Sequence, residues 1–356
     1  MTNIFNMVQS VCEKDFMLNN VREKSEAMTI SEIAKLAGVS SAAVSRYFNN
    51  GYISDEKREA IKKVIEDTGY RPSLQAQVLR TKRTKTVGVI VPRIDSSSVG
   101  RVVAGITSVL EKQGYRLLLA VSEQSSKKEL EYLDLFDNKQ VDGVILLATV
   151  FSPALKKQIK QMSVPVVMAG QRLEGCNCVY HDDYHAMYDV TKLVLSKGCK
   201  NFCYIGVTNR DKAVGAERFR GFQDALATAG LPVPEGNAET GEFTIESGRE
   251  KMEELYRKHP DVDAVICATD KIAVGAMQYL KEQGRDIGKD VLLAGQGDSV
   301  LAANVSPSLT TIHYYYEDSG EKSAQMLLEL IEKGTITIRE IKLGYELVEH
   351  ESTNNG

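Results

Sequence analysis

Apolar residues recur along this chain with two different periods, and the change between them divides it. Between Thr29 and Tyr70 the spacing is helical. TISEIAKLAG (29–38) sets Ile33, Leu36 and Ala37 on one stripe, opens with the Thr-x-x-Glu spacing of a capping box at Thr29 and Glu32, and stops at Gly38. GVSSAAVSRYFN (38–49) continues the period, with Ser40 as cap and Val44, Tyr47 and Phe48 as its buried face. SDEKREAIKKVIEDTGY (54–70) adds a third helix, capped by Ser54, with Ile61, Val64 and Ile65 inside. The first two helices are joined by a tight Gly38-Val39-Ser40 turn.

After Thr86 short apolar runs alternate with amphipathic helices. TVGVIVP, YRLLLAVS, VDGVILLAT and VPVVMAG are the strands of one series; NFCYIGV, DAVICAT and DVLLAGQGD are those of a second that begins near Tyr184. Two successive βα runs predict an α/β fold, with two parallel-sheet subdomains carrying helices on both faces. Residues 1–28 are polar and aperiodic and read as a loosely ordered tail, followed by a helical head over 29–72 and a short helix with a basic linker over 73–85. The first core subdomain is expected over 86–183, completed by about 314–335. The second is expected over 184–313, completed by about 336–348, with 349–356 as a tail.

Composition narrows the function classes. The longest apolar stretches, such as VDGVILLATV, have strand length and not the roughly twenty residues of a membrane span, and the N-terminus lacks the pattern of a signal peptide. A cytoplasmic protein is expected, without membrane association. Its six cysteines include no CxxC pair and read as free thiols. GxSxG and GxxxxGK[ST] sequences are missing, and GQGDS lacks the third glycine of a dinucleotide fingerprint, so the sequence supports no enzyme and no cofactor. YHDDYHAM spaces His181 and His185 as metal ligands would be, but Asp182 or Asp183 equally serves as a helix cap there, so no metal is expected.

Charge changes the picture more. Residues 29–85 hold eleven Lys or Arg against six Asp or Glu, a local +5; with a net charge of −4, the remainder carries −9. A basic head on an acidic body suits nucleic acid at one end. The second helix fits that reading, because its outer face is built from Ser41, Ala42 and Ser45 and finishes with Arg46 and Asn49. Small side chains let a backbone approach base edges, and the Arg46 fork matches guanine N7 and O6. Two helices joined by a Gly-containing turn form the helix-turn-helix unit, whose second helix enters the major groove.

ISEIAKLAGVSSAAVSRYFN, the third helix, TGYRP and QAQVLR together resemble the head of LacI/GalR (lactose-repressor) family regulators, and the double βα region resembles their periplasmic-binding-protein-like core, over about residues 29–348. The resemblance implies a cytoplasmic, nucleoid-associated homodimeric repressor of carbohydrate metabolism. It would bind a pseudo-palindromic double-stranded operator and be modulated allosterically by a sugar or sugar phosphate. By the same match Ser41 and Ala42 occupy operator-discriminating positions and Arg46 a base-contacting one, while Thr29, Ser40, Ser45, Asn49 and Tyr70 occupy phosphate-contacting ones. The segment 73–80 matches the family's hinge helix, in which Ala76 and Leu79 lie in the minor groove and Leu79 wedges into a base step.

In the core, Arg218 of ERFRGF matches the effector-binding Arg of the family, with Thr269, Asp270 and Asp298 at strand ends and Tyr316 over the sugar's apolar face. Gly170 and Gly297 stand where lactose-binding relatives often carry Asp, so Gln171, Asp298 and either His181 or Asp182 are expected to complete the polar set. Only ESTNNG follows the last strand-like run, so the resemblance implies a dimer without a tetramer-forming helix. VYHDDY and GQGDS are most similar to repressors of sucrose utilisation. Two alternatives stand beside this reading: a catabolite regulator controlled by a phosphorylated partner protein, and a solute-binding protein with the same core.

Overall fold

In a computed structural model, the chain divides between Thr84 and Lys85 into two compact units. The structure describes residues 28–48, 51–70, 83–138, 140–231, 235–334 and 337–354. The expected tail up to residue 27 and the hinge segment with Ala76 and Leu79 therefore lie outside the described residues, as does Asn49.

The smaller unit holds α1 (Ile30–Leu36), α2 (Ser41–Phe48) and α3 (Asp55–Thr68) around Ile33, Ala34, Ala43, Val44, Ile53, Ile61 and Tyr70. The capping box forms: Thr29 N–H donates to Glu32 Oε2 at 2.7 Å, and Glu32 N–H donates to Thr29 Oγ1 at 3.3 Å. The stripe of α1 is rotated from the expected one, because Ala34 faces inward and Leu36 is 60% exposed. α3 ends at Gly69, whose φ of 64° lets the chain turn back and lay Tyr70 against Phe48.

The larger unit begins with β1 (Thr86–Val91), α4 (Ser97–Lys112), β2 (Arg116–Val121), α5 (Ser126–Asp137), β3 (Gly143–Leu146), α6 (Pro153–Gln161), β4 (Val166–Ala169) and β5 (Asn177–His181). The chain then crosses to α7 (Asp183–Ser196), β6 (Phe202–Gly206), a π-helical turn (Lys212–Glu217), α8 (Arg218–Thr228), β7 (Ala238–Thr240) and α9 (Ile245–Lys258). Next come β8 (Ala264–Cys267), α10 (Asp270–Glu282), β9 (Leu292–Ala294), α11 (Val300–Asn304) and β10 (Thr311–Tyr314). It returns through α12 (Tyr316–Lys333), β11 (Glu340–Leu343) and β12 (Tyr345–Val348), and a 3-10 turn (Glu351–Thr353) follows. One sheet has the order β11-β5-β4-β3-β1-β2 and the other β7-β6-β8-β9, both parallel throughout, while β10 and β12 form an antiparallel ribbon.

Two expectations are corrected here. Residues 336–348 do not all complete the second subdomain, because β11 adds to the edge of the first sheet and only β12 returns to β10. The alternating exposure of Glu340–Leu343 suits an edge strand. Residues 349–356 are not simply a tail: Ser352 and Thr353 are buried, and Ser352 Oγ donates to the Leu293 carbonyl at 2.6 Å.

Helices on the sheets approach closely through reciprocal glycines. A Cβ at Gly320 of α12 would stand 2.0 Å from the Val102 carbonyl of α4, and one at Gly105 of α4 would stand 2.0 Å from the Glu317 carbonyl of α12. That contact holds α12 on the first subdomain after the chain has returned from the second.

Glu129, in the first turn of α5, is only 2% exposed, and burial pushes its carboxyl up to about 7. A raised carboxyl pKa means that the neutral form fits the fold, so this stabilisation is complete below the unfolded value near 4.5 and is lost as pH rises through about 7. Glu129→Gln should therefore raise the melting temperature at pH 8, by an amount corresponding to about 1–3 kcal/mol, and leave it unchanged at pH 4. Scanning calorimetry at both pH values checks this; an equal effect at both would place the gain elsewhere.

Candidate nucleic-acid interface and effector cavity

On the head, α2 presents Ser41, Ala42 and Arg46 to solvent, while Ala43 and Val44 fill the core. Ser40 Oγ caps the helix by accepting from Ala43 N–H at 3.2 Å, which fixes the entry of α2. No ion pair neutralises Arg46 among the described residues, and Gly51 packs beneath it: a Cβ there would meet the Arg46 Cβ at 3.2 Å. The face thus combines small side chains with one unneutralised guanidinium, as a groove-entering helix requires. Ser45 is half-buried on the same helix, and Thr29 is engaged in the capping box. Tyr70 departs from the expectation of a phosphate contact. It is 4% exposed, because the Gly69 turn folds its ring into the head core, and burial pushes its hydroxyl pKa up.

In the larger unit a cavity of about 210 Å³ opens between the carboxyl ends of the two sheets, where open α/β sheets gather ligands. Gln171, His181, Arg218, Thr269, Asp270 and Tyr316 all line it. Asp182 and Asp298 do not, and both are corrections. Asp182 caps α7, contacts His185 Nδ1 at 2.9 Å and pairs with Lys342 at 2.8 Å. Asp298, with φ of 44°, turns its carboxylate to His313 Nδ1 at 2.7 Å. The adjacent Asp183 is the carboxylate that reaches the cavity.

Arg218 stands where it does because the π-helical turn shifts the register of α8. Gly215 makes that turn feasible, since a Cβ there would lie 2.1 Å from the Thr208 carbonyl. Arg218 is 4% exposed and each guanidinium nitrogen has a protein partner: Nε donates to Asp183 Oδ1 at 2.8 Å, Nη2 pairs with the same oxygen at 2.7 Å, Nη1 donates to the Ala268 carbonyl at 2.6 Å, and the Tyr314 ring lies 4.9 Å away. Gln171 from the first subdomain reaches the second, donating to Asp211 Oδ1 at 3.1 Å and accepting from Lys212 N–H at 3.3 Å. Burial raises the Asp211 carboxyl to about 6. Asp270 accepts from Thr311 Oγ1 at 2.6 Å and Ser299 N–H at 2.7 Å, while burial pushes its pKa up. Thr269 Oγ1 caps α10. His181 lies between the rings of Tyr314 and Tyr316, each centroid 5.2 Å away, and burial holds its pKa down.

Several lining residues were not expected: Arg93, Arg101, Asp183, Asp211, Phe243 and Lys271. Asp183 is one residue from the expected Asp182, and helix-cap chemistry alone does not distinguish the two. Arg93 and Arg101 flank the start of α4, where the β1–α4 turn carried no recognisable motif, and Phe243 precedes α9 with no periodic signal around it. Arg93 and Lys271 share Asp95, at 2.5 and 3.6 Å, across the mouth.

Residues 84–351 match the family described as periplasmic binding proteins and sugar binding domain of the LacI family, and residues 29–73 match bacterial regulatory proteins of the lacI family. Among relatives, a sucrose operon repressor of Staphylococcus xylosus is 32% identical over 87% of this chain and 96% of its own. Catabolite control protein A of Priestia megaterium is 30% identical over 92% and 99%. The solved complex of the transcriptional regulator CelR with cellobiose is 29% identical, with a TM-score of 0.72 over 91% of this chain and 99% of that one. A lac repressor dimer bound to operator reaches a TM-score of 0.84 at 21% identity over 92% and 99%, a likeness of fold alone.

The buried pair of Arg218 with Asp183 generates a prediction. Arg218→Ala strands the buried Asp183 carboxylate, so it should cost about 3–5 kcal/mol of stability. Arg218→Ala combined with Asp183→Ala should recover part of that loss. Urea unfolding of the single and double variants measures both; additive losses would show that the pair does not act as a unit.

Proposed function

Because the chain belongs to the LacI family of bacterial regulatory proteins and is a DNA-binding transcriptional regulator, we propose that it represses a carbohydrate-utilisation operon and answers to a sugar or sugar phosphate in the core cavity. The observation that carries this reading is that one cavity takes its walls from both subdomains and concentrates paired polar groups beside an aromatic surface. Directional hydrogen bonds from Gln171, Thr269 and Asp270 suit vicinal hydroxyls, and the Tyr316 ring suits a sugar's apolar face. Asp183 with Arg218 holds the frame around them. A ligand touching both walls favours one angle between the subdomains, and a 100-fold preference for that angle supplies about 3 kcal/mol of coupling.

The working unit is a homodimer in the cytoplasm, with each α2 reading one half of a pseudo-palindromic operator. The likeness to a sucrose operon repressor supports a sucrose-related effector. The likeness to catabolite control protein A supports a second reading, a catabolite regulator, for which the controlling input would be a phosphorylated partner protein.

Arg46→Ala should weaken binding to the cognate operator by about 1–3 kcal/mol more than binding to random DNA. Fluorescence anisotropy on both DNAs checks this, and equal losses would make Arg46 a phosphate contact. Tyr316→Ala should raise the sugar concentration needed for half-release of operator several-fold. Wild-type midpoints in that titration would move the effector out of this cavity, and release by a phosphoprotein without any sugar would favour the second reading.

A further inference from the structure

Among the cations that line the cavity, Arg101 is the one without an ion-pair partner among the described residues. Arg93 and Lys271 have Asp95, and Arg218 has Asp183. Arg101 lies in the second turn of α4 and meets no carboxylate among the described residues. One of its Nη groups donates to the Gly297 carbonyl, its guanidinium stacks 4.8 Å from the Tyr316 ring, and its Nε is buried without a partner. The cavity contains a second orphan: His181, 6% exposed, has no partner for Nε2.

The turn of α4 that precedes Arg101 adds no counter-charge. The first turn of α4 lines the cavity through Ser96, Ser97 and Ser98; it holds no acidic residue, and its N-cap Ser96 makes no side-chain cap bond. The carboxylates of the cavity are engaged elsewhere: Asp183 with Arg218, Asp211 with Gln171 and Val214 N–H, and Asp270 with Thr311 and Ser299 N–H. When a ligand fills the cleft, Arg101 loses its remaining water. A neutral ligand then leaves a cation desolvated and unpaired, whereas an anionic oxygen satisfies it, assisted by the α4 dipole.

We propose that Arg101, His181 and the first turn of α4 form an anion subsite, so that the effector is a sugar carrying one phosphate or carboxylate group whose hydroxyls face Arg218, Asp270 and Gln171. This rests on the cavity being the effector site and narrows the class of effector it takes. A charge-assisted hydrogen bond of this kind gives the anionic sugar an affinity about ten-fold or more above its neutral counterpart.

The test uses the full-length protein with inorganic phosphate, glucose, glucose 6-phosphate and glucuronate as probes. Inorganic phosphate should raise the melting temperature above that in sodium chloride of equal ionic strength. The gain should vanish in Arg101→Gln, survive in part in Arg101→Lys, and shrink in His181→Phe, which keeps a ring between the two tyrosines. Calorimetry with the three sugars then separates the sources, since a preference for glucose 6-phosphate over glucuronate assigns the anion as phosphate and the reverse as carboxylate. No phosphate gain in the wild type, or an equal gain in Arg101→Gln, overturns the subsite. Glucose that binds the wild type as tightly as glucose 6-phosphate and glucuronate refutes the subsite and leaves the cavity reading standing. Phosphate binding that depends on Arg101, without operator release by any sugar, supports the subsite and refutes the sugar reading.

Discussion

The buried ion pair of Arg218 with Asp183 is the constraint on which the core's geometry depends, because it meets the chain where the chain changes subdomain. Asp183 is the first residue of α7, immediately after β5 leaves the first sheet. Tyr314, whose ring lies against the Arg218 guanidinium, ends β10 just before α12 carries the chain back. A third crossing at Gly344 runs beside the first, with Asp182 N–H donating to the Leu343 carbonyl at 3.0 Å. One guanidinium therefore orients two crossings and, through Ala268, the end of β8. Removing it from water is costly, and several hydrogen bonds with a ring face are what offset the cost. Cleft groups on either side inherit their positions from this frame.

Much of the architecture was legible because it depends on periodicity. Apolar runs four to six residues long between amphipathic helices specify parallel strands buried on both faces, and both sheets contain the runs read from the sequence. β11 was not assignable in the same way: EIKL and YELV are adjacent and equally half-polar, and only tertiary pairing decides which sheet each joins. The docked 3-10 turn escaped for a related reason. Ser352 and Thr353 are polar, and their burial is stabilised by hydrogen bonds to Thr310 and Leu293 that no local pattern announces.

Site residues divided along the same line. Thr269, Asp270 and Tyr316 sit at a strand end or a crossing, so topology brings them to the cleft, whereas Arg218 reaches it through the π-helical turn before α8. Asp182 and Asp183 differ by one position across a helix start, and that position decides between a surface cap and a buried salt-bridge partner. Asp298 is a strand-end residue whose backbone, at φ of 44°, turns the side chain to His313 instead of the cavity. Tyr70 shows the same limit in the head, where one left-handed glycine places an aromatic ring in the core.

Contacts across the cleft set how a ligand can act. Arg93 to the Phe243 carbonyl, Lys271 to Asp95, Arg101 to the Gly297 carbonyl, and Gln171 to Asp211 all join the two subdomains directly. A ligand that merely replaced them with equivalent contacts would leave the subdomain angle unbiased, however tightly it bound, because only a difference in affinity between two states shifts their populations. The useful ligand satisfies groups that direct closure leaves unpaired. Arg101 Nε and His181 Nε2 are such groups, so a ligand that satisfied them would gain contacts that closure alone does not supply.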